Sequence, residues 1–203
     1  MGKLFLTLFA SFITLHSAFG IEKPEFNLIQ KKEPYEIRLY KPYLLAETQI
    51  KANYQDAQNN GFKKLAAYIF GENSKKQKMD MTAPVHLIKE GTKIDTQQLI
   101  TLEPKETAYI IQFMIPSKFN QETLPTPKDP QIHITSKQSH KMAVISFKGN
   151  PSEDLVKQKT NDLLSFIKKE GLKPVGSEPI LARYNPPFVP GFLKHNEVLI
   201  EIY

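Results

Sequence analysis

The sequence predicts an α+β fold built from two similar halves, each with the order strand, helix, strand, strand. Three observations support this prediction. Each half contains one amphipathic helical segment, two apolar strand-like segments follow each helix, and a proline-rich break separates the halves. The two sheets are expected to join as one curved, largely antiparallel sheet or distorted β-barrel, with both helices packed outside. A plain sheet with two helices on one face is the alternative.

Residues 1–20 have the pattern of a signal peptide. Lys3 is their one charge, an apolar run extends from Leu4 to Leu15, and small residues precede a predicted cleavage site after Gly20. The apolar run is short for a membrane span, although an uncleaved N-terminal anchor is the alternative. Residues 21–33 are then predicted to be an N-terminal linker.

The first half, residues 34–118, begins with a segment rich in aromatic and β-branched residues. This segment, Tyr35 to Ile50, predicts a strand that bends near Pro42. A helix follows, with Asn53 as its N-cap and Gly71 just after its C-terminal end. The apolar segments "APVHLI" and "AYIIQFMIP" predict the two strands that complete this half.

The proline-rich segment "QETLPTPKDP" connects the halves. The second half, residues 131–203, starts with the predicted strands "IHITSK" and "MAVISFKG". Its helix is expected to be capped by Asn150, with Glu153 completing a capping box, and to end at Gly171. The strands "EPILARY" and "NEVLIEIY" complete the repeat.

Composition excludes several classes of site. The chain has 203 residues, a formal net charge of +6 and no cysteine, so disulfides, thiolate metal sites and cysteine nucleophiles are impossible. The positive charge is spread over lysine-rich surface segments, for which a solvated surface is the default interpretation. A nucleic-acid partner is not expected, because no stripe of basic and aromatic residues is present and export would separate the two.

Two separated motifs resemble the SOUL haem-binding family. The first is "KMDMTAPV", Lys78 to Val85, after a helix that ends in "YIFGEN", and the second is "ARYNPPFVPGFLKHNEVLIEIY", Ala182 to Tyr203. The resemblance runs from about Glu33 to the C-terminus and implies a SOUL-type haem-binding domain over residues 34–203. It also implies a distorted β-barrel of two β-α-β-β halves and non-covalent, reversible binding of haem.

The two methionines of the first motif have two interpretations. In strand parity Met79 and Met81 share one side of the chain, which favours a role as flexible filler of the core. The functional alternative is that a thioether lines a haem cleft or ligates the iron.

A tetrapyrrole is a flat apolar disc with two carboxylates on one edge, so its site needs apolar walls and a few cations at the rim. Two segments, the first helix and the loop near the C-terminus, offer both apolar side chains and lysines. The resemblance implies a pocket between these two segments. The candidate binding residues are Phe62, Lys63, Lys64, Leu65 and Tyr68 of the first helix, with Phe188, Phe192, Lys194 and His195 near the C-terminus. The alternatives are a solvated surface for the lysines and a loop folded onto the core for the phenylalanines.

His195 is the candidate iron ligand, because it lies beside the predicted pocket. A lone histidine is more often a surface or capping residue than a metal ligand. His86, His133 and His140 are weaker candidates, and His133 is expected to face outward because it alternates with apolar neighbours.

These features together predict an exported, non-catalytic haem- or tetrapyrrole-binding protein acting as a carrier, buffer or scavenger. The expected destination is the periplasm or the extracellular space, with no stable membrane insertion after cleavage. The alternatives are a binding module for other bulky amphipathic molecules and, third, a porphyrin-modifying enzyme. The sequence contains no G-x-S-x-G, H-E-x-x-H or Walker motif, although Glu178 or Glu197 could act as a catalytic carboxylate.

Overall fold

The computed structural model describes residues 21–91, 107–176, 178–186 and 188–203. The predicted signal peptide, residues 1–20, lies outside the described residues. In chain order the elements are β1 (Phe26–Lys32), β2 (Tyr35–Tyr40), β3 (Tyr43–Lys51), α1 (Tyr54–Ile69), β4 (Val85–Lys89), β5 (Ala108–Met114), β6 (His133–Lys137), β7 (His140–Lys148), α2 (Glu153–Lys169), β8 (Ile180–Arg183), a 3₁₀ turn (Gly191–Leu193) and β9 (His195–Ile202).

The predicted α+β fold is confirmed. Within the described residues the strands form one curled antiparallel sheet in the order β1-β2-β7-β9-β8-β4-β5-β3-β6, with the two helices packed outside. If β1 is left out, the strand order is symmetric. Read from the β6 end, it is the order read from the β2 end with each strand replaced by its counterpart in the other half. The first strand of each half pairs with a strand of the other half: β2 pairs with β7, and β6 pairs with β3. The repeat predicted from sequence is therefore an exchange of strands between halves.

Two strand predictions need correction. The single bent strand from Tyr35 to Ile50 is in fact two strands, β2 and β3, which lie in different parts of the sheet on either side of Lys41 and Pro42. Residues 21–33, predicted as a linker, contain strand β1, which pairs with β2 along the edge of the sheet. The β1 side chains are mostly exposed, so the segment lacks the alternation by which a half-buried strand is recognised.

Helix α1 packs closely on β3 and β5. Asn53 caps it as predicted, and its side chain accepts a hydrogen bond from the Asp56 backbone N–H at 2.9 Å. Gly61 allows the close approach, because a Cβ at this position would lie 2.5 Å from the Ile111 side chain.

Helix α2 packs on β7 and β9. Its N-cap is Ser152, not the predicted Asn150, and the Ser152 hydroxyl accepts a hydrogen bond from the Leu155 N–H at 3.3 Å. The helix thus begins after Pro151. Gly171 follows the helix with φ of 69°, as the C-terminal glycine signal predicted.

The two helices leave the middle of the sheet uncovered. We call the helix side the outer face and the opposite, concave side the inner face. On the outer face one core cluster lies under α1 and another under α2, while β4 and β8 lie between them. The inner face has a smaller cluster of its own, formed by Tyr40, Met142, Val144, Ala182 and Leu199.

The methionine motif between α1 and β4 serves packing. Met79 is buried in the core cluster under α1, and Met81 packs against the same cluster. Thr82 anchors the segment, since its hydroxyl donates to the Met114 carbonyl oxygen at 2.6 Å. The core-filling interpretation of Met79 is therefore confirmed. No helix among the described residues is long and apolar enough to cross a membrane.

Candidate functional site

Two of the α1 residues predicted to bind a ligand are core residues. Leu65 and Tyr68 are both 0% exposed, and the Tyr68 hydroxyl donates to the Pro125 carbonyl oxygen at 2.8 Å. No surface of these side chains is left for a ligand, which corrects their predicted role. Phe62 lies at the edge of the buried stripe, where its ring contacts Phe113 edge-on with 5.3 Å between centroids.

The two lysines of α1 differ in their surroundings. Lys63 is exposed. Lys64 Nζ lies 3.4 Å from Asp129 Oδ2 and also contacts the Gln131 side chain. Lys64 is therefore already paired with a carboxylate, and Lys63 is the α1 cation that an anionic ligand would meet first.

The loop between β8 and β9 projects from the molecule. Phe188 and Phe192 are largely exposed. The hydrogen bonds of this loop run to the turn before α2, where Lys194 Nζ donates to Asn150 Oδ1 at 3.2 Å and the Gly149 N–H donates to the Lys194 carbonyl oxygen at 3.1 Å. These contacts hold the loop beside this turn, and the exposure of both phenylalanines shows that neither is packed against α1.

His195 lies on the inner face, whereas α1 lies on the outer face. Its ring packs beside Tyr184 with 4.8 Å between centroids, and its Nε2 lies 3.3 Å from Glu197 Oε1. Tyr184 packs against the inner-face cluster. A flat ligand held on α1 therefore cannot reach His195, and the nine predicted residues do not form one pocket.

A buried ion pair occupies the inner face near His195. Arg38 donates from both terminal nitrogens to Glu197, at 2.8 and 2.9 Å, and the Tyr184 hydroxyl donates to the same carboxylate at 2.6 Å. Burial raises the pKa of Glu197, but hydrogen bonds from His195 and Arg38 and the charge of Arg38 outweigh it and lower the pKa to about 2. An ionised and saturated carboxylate of this kind holds strands together and is a poor acid or base.

The inner face also has a narrow slot of about 30 Å³, which is far too small for a macrocycle. Aromatic side chains dominate its lining. Among them, His86 is buried with Nδ1 3.3 Å from Gln112 Oε1, and burial lowers the pKa of His86 to about 4. His86 is thus a neutral core histidine.

A wider cleft of about 840 Å³ opens beside the turn between β2 and β3. Its size would admit a large ligand, but its charges oppose a dianion. Three glutamates, Glu22, Glu25 and Glu122, line it with two lysines. Lys41 already pairs with Glu25 at 2.6 Å, and Lys23 Nζ lies over the Tyr184 ring. A macrocycle with two carboxylates would meet like charge there.

The interhelical groove is a cavity of about 270 Å³ between α1 and α2, over the uncovered strands β4 and β8. Its floor and walls are mainly apolar or aromatic, with lysines at the rim. The lining residues are Tyr54, Leu87, Lys89, Tyr109, Glu153, Asp154, Val156, Lys157, Thr160, Pro179 and Leu181. This groove has the apolar walls and nearby cations that a tetrapyrrole requires.

One end of the groove is acidic and closed by internal bonds. Glu153 Oε1 accepts from the Tyr109 hydroxyl at 2.8 Å and lies 3.5 Å from Lys89 Nζ. The Tyr54 hydroxyl donates to the Pro151 carbonyl oxygen at 2.5 Å. Burial raises the pKa of Tyr54 to about 12, so this phenol stays protonated.

Arg183 lies near Tyr54, two residues beyond Leu181 on the outward side of β8 and so about 7 Å along the strand. Its guanidinium contacts the side-chain oxygen of Gln58 on α1. No ion pair within the described part of the chain involves Arg183, and burial lowers the pKa of its guanidinium. A half-buried guanidinium held by an amide alone is poised for an anion.

Arg183 is the functional candidate that sequence reasoning missed, although a signal was available. In "ILAR" Arg183 lies two residues after Leu181, so in a strand both side chains point to the same face, the one on which α1 and α2 pack. A cation on the core side of a strand needs an anionic or hydrogen-bonding partner, and the sequence alone does not show which residue that is.

The described residues hold no cluster of three or more His, Asp or Glu side chains suited to a metal ion. The groove lining contains no histidine or methionine, and the hydroxyls of its two tyrosines, Tyr54 and Tyr109, already donate to Pro151 and Glu153. Whatever binds in the groove is therefore held by shape, apolar contact and charge.

The comparison with known families decides the classification. The model of the family described as SOUL heme-binding protein matches residues 21–201. The chain belongs to this family. Heme-binding protein 2 of Mus musculus is 28% identical over 177 residues, covering 83% of this chain and 80% of that protein. Heme-binding protein 2 of Homo sapiens is 30% identical over 161 residues, covering 76% and 74%.

Several solved structures are similar in fold to this SOUL family member. A hydrolase from Listeria innocua superposes with a TM-score of 0.56 at 10% identity, covering 86% of this chain and 94% of that one. The C-terminal domain of EcmrR superposes with a TM-score of 0.57 at 8% identity, covering 83% and 96%. At such identities the likeness concerns the strand and helix arrangement alone.

Proposed function

We propose that this chain is a non-catalytic haem- or tetrapyrrole-binding protein whose macrocycle lies in the interhelical groove with its carboxylates directed at Arg183. The observation that carries the proposal is Arg183 itself, a half-buried guanidinium that has no carboxylate partner among the described residues and lies two residues beyond Leu181 of the groove. Membership of the SOUL family supports the class of ligand.

Charge sets the orientation of the ligand. Glu153 and Asp154 contribute negative charge to the groove lining, while Arg183, near Tyr54, is a cation that pairs with no carboxylate of the described residues. Propionate groups are therefore expected to face Arg183, where a bidentate hydrogen bond is available. Phe62 and Lys63 are exposed farther along α1 and are not among the residues that line the groove.

The size of the groove predicts reversible binding. Its volume of about 270 Å³ lies just below the range of about 300–1,000 Å³ that encloses a drug-sized ligand. A macrocycle would have one edge buried and the rest open to solvent. Because the groove offers no histidine or methionine to the iron and its two tyrosine hydroxyls donate to internal acceptors, haem and iron-free porphyrin are expected to bind with similar affinity.

A carrier, buffer or scavenger role follows from open, reversible binding together with the signal-peptide pattern of residues 1–20, which supports export to the periplasm or the extracellular space. A binding role fits the state of Glu197 better than catalysis does, since Arg38 and Tyr184 saturate that carboxylate.

The test is a haemin titration of residues 21–203 followed by the Soret band, for the wild type and for Arg183→Met. Saturable binding is expected for the wild type. Loss of one charge-assisted interaction, worth about 1.5–3 kcal/mol, should weaken the variant about 10- to 100-fold. Arg183→Lys, which keeps the charge but not the bidentate geometry, should lie between them.

Three results would overturn the proposal. An unchanged haemin affinity of Arg183→Met would show that the ligand does not contact Arg183. Uptake of an unrelated apolar dye without haemin binding would favour a module for other amphipathic molecules. Time-dependent bleaching of haemin with new products would favour an enzyme.

A further inference from the structure

The loop between β8 and β9 carries three apolar side chains that the fold does not bury. Phe188 is 85% exposed, Phe192 is 74% exposed and Leu193 is 55% exposed. Single exposed apolar residues are ordinary, but a group of them on one projecting loop marks an interaction surface. These three residues are called the phenylalanine tip.

The loop is braced in its projecting form. At its base the His195 N–H donates to Asn185 Oδ1 at 2.6 Å, and within it the Leu193 N–H donates to the Pro190 carbonyl oxygen at 3.0 Å. Gly191 packs against Asn150 so closely that a Cβ there would lie 2.7 Å from the Asn150 side chain. The loop is thus anchored at its base and at Gly191, while the three side chains of the tip stay exposed.

Lysines flank the tip, and two of the nearby acids, Glu197 and Glu153, are already engaged. Lys194 follows Leu193 directly, and Lys148 is the strand partner of His195 at the base of the loop. Glu197 pairs with Arg38, and Glu153 is turned to Lys89 and Tyr109 in the groove. The chain as a whole carries a net charge of +6.

We infer that the phenylalanine tip is a membrane-docking element that inserts into the surface of an anionic lipid bilayer. Aromatic rings on a braced loop enter the interface between headgroups and acyl chains, and flanking lysines are attracted to anionic headgroups. One short tip gives weak and reversible attachment. The inference goes beyond the proposed function and does not depend on it, although the loop starts just after Arg183 and would bring the open groove to the bilayer.

The absence of tryptophan from the chain allows a direct test. In residues 21–203, Phe188→Trp introduces one reporter at the tip. Its matched control is Phe70→Trp, because Phe70 is 57% exposed at the far end of α1. The probe is vesicles of phosphatidylcholine, alone or mixed equally with phosphatidylglycerol. Anionic vesicles should shift the Phe188→Trp emission to the blue and leave the Phe70→Trp emission unchanged.

Vesicle flotation supplies the second measurement. Phe188→Ala combined with Phe192→Ala should lower the partition coefficient on anionic vesicles about tenfold, whereas Phe70→Ala should leave it unchanged. Lys148→Gln should weaken partition several-fold in low salt and much less in high salt. Haemin affinity of the double variant should stay at the wild-type value.

Several outcomes would overturn the inference. These are absence of wild-type chain on anionic vesicles, equal partition of the double variant, or an equal blue shift in both tryptophan variants. A double variant that loses haemin affinity but keeps vesicle binding would make the tip a ligand wall instead. Vesicle binding by a chain that fails to bind haemin would sustain the inference while overturning the proposed function.

Discussion

The chain contains two arginines, and their surroundings differ in the one respect that decides their roles. Arg38, buried on the inner face, is matched by Glu197, which lies 159 positions away in the chain and accepts two hydrogen bonds from it. Arg183, half-buried on the outer face, contacts the neutral amide of Gln58. Within the described residues, Arg38 has a carboxylate partner and Arg183 has none.

The pKa directions of the two groups follow this difference. Burial lowers the pKa of Arg38, but hydrogen bonds and charge from Glu197 more than offset burial and raise it. Burial also lowers the pKa of Arg183, and the interaction with Tyr54 opposes this only in part. We therefore expect removal of Arg38 to damage the fold and removal of Arg183 to damage binding.

The largest expected effect is that of Arg38→Met. The substitution leaves the carboxylate of Glu197 buried without its main partner, which typically costs about 3–5 kcal/mol. Urea unfolding monitored by circular dichroism measures the free energy of unfolding. A loss below about 1 kcal/mol would show that Arg38 is as dispensable to the fold as Arg183 is expected to be.

The second prediction concerns the loss of stability at low pH, which should arise from buried groups on the inner face. The pKa of His86 is lowered to about 4, so the folded state resists a proton that the unfolded chain accepts near pH 6.5. Stability is therefore lost as pH falls from about 6.5 to about 4, by about 3 kcal/mol at most.

Glu197 adds a second and lower window. Its pKa of about 2 lies below the ordinary value of 4.5, so the stability it contributes is present above pH 4.5 and lost as pH falls toward 2. Unfolding free energies measured across pH should show both windows. His86→Gln should remove the upper window and keep the lower one, and loss of both would mean that His86 is not the group responsible.

The third prediction fills the interhelical groove. Val156→Trp places a bulky ring from α2 into the cavity and should weaken haemin binding about tenfold, equivalent to about 1.4 kcal/mol. Ser165→Trp, on the exposed side of the same helix, is the matched control and should bind as the wild type does. Equal affinities in the two variants would place the ligand outside the groove.

The smallest expected effect is that of Arg183→Met on stability. Because no carboxylate of the described chain depends on Arg183, its removal should change the free energy of unfolding by less than about 1 kcal/mol. The same urea titrations serve for Arg38→Met and Arg183→Met. A large destabilisation by Arg183→Met would give this residue a structural role and weaken its assignment to a ligand.

The main lines of the fold were predictable because periodicity and capping signals are local. Asn53 and Gly171 lie where such signals placed them. Strand β1 was not predictable in the same way, because exposed Leu28 and Ile29 give no alternation and the strand depends on its ladder with β2. The exchange of β2 and β6 between halves is likewise a tertiary property.

The site was predicted less well, for a physical reason. Helical spacing placed Phe62 and Leu65 close together on α1, but it could not show that one would be partly exposed and the other fully buried. Strand alternation gives the side on which His195 points relative to its neighbours, but not which side carries α1. The contact of Arg183 with Gln58 joins residues 125 positions apart, which no local pattern reports.

The most direct test of the account uses the paramagnetism of haemin to locate the ligand. Haemin would be titrated into residues 21–203 carrying labelled methyl groups, and the loss of methyl NMR signals would be followed. We predict that the signals of Leu87, Val156 and Leu181 in the groove broaden first, while those of Met142, Val144 and Leu199 on the inner face persist. Early loss of the inner-face signals with an unaffected groove would contradict the account.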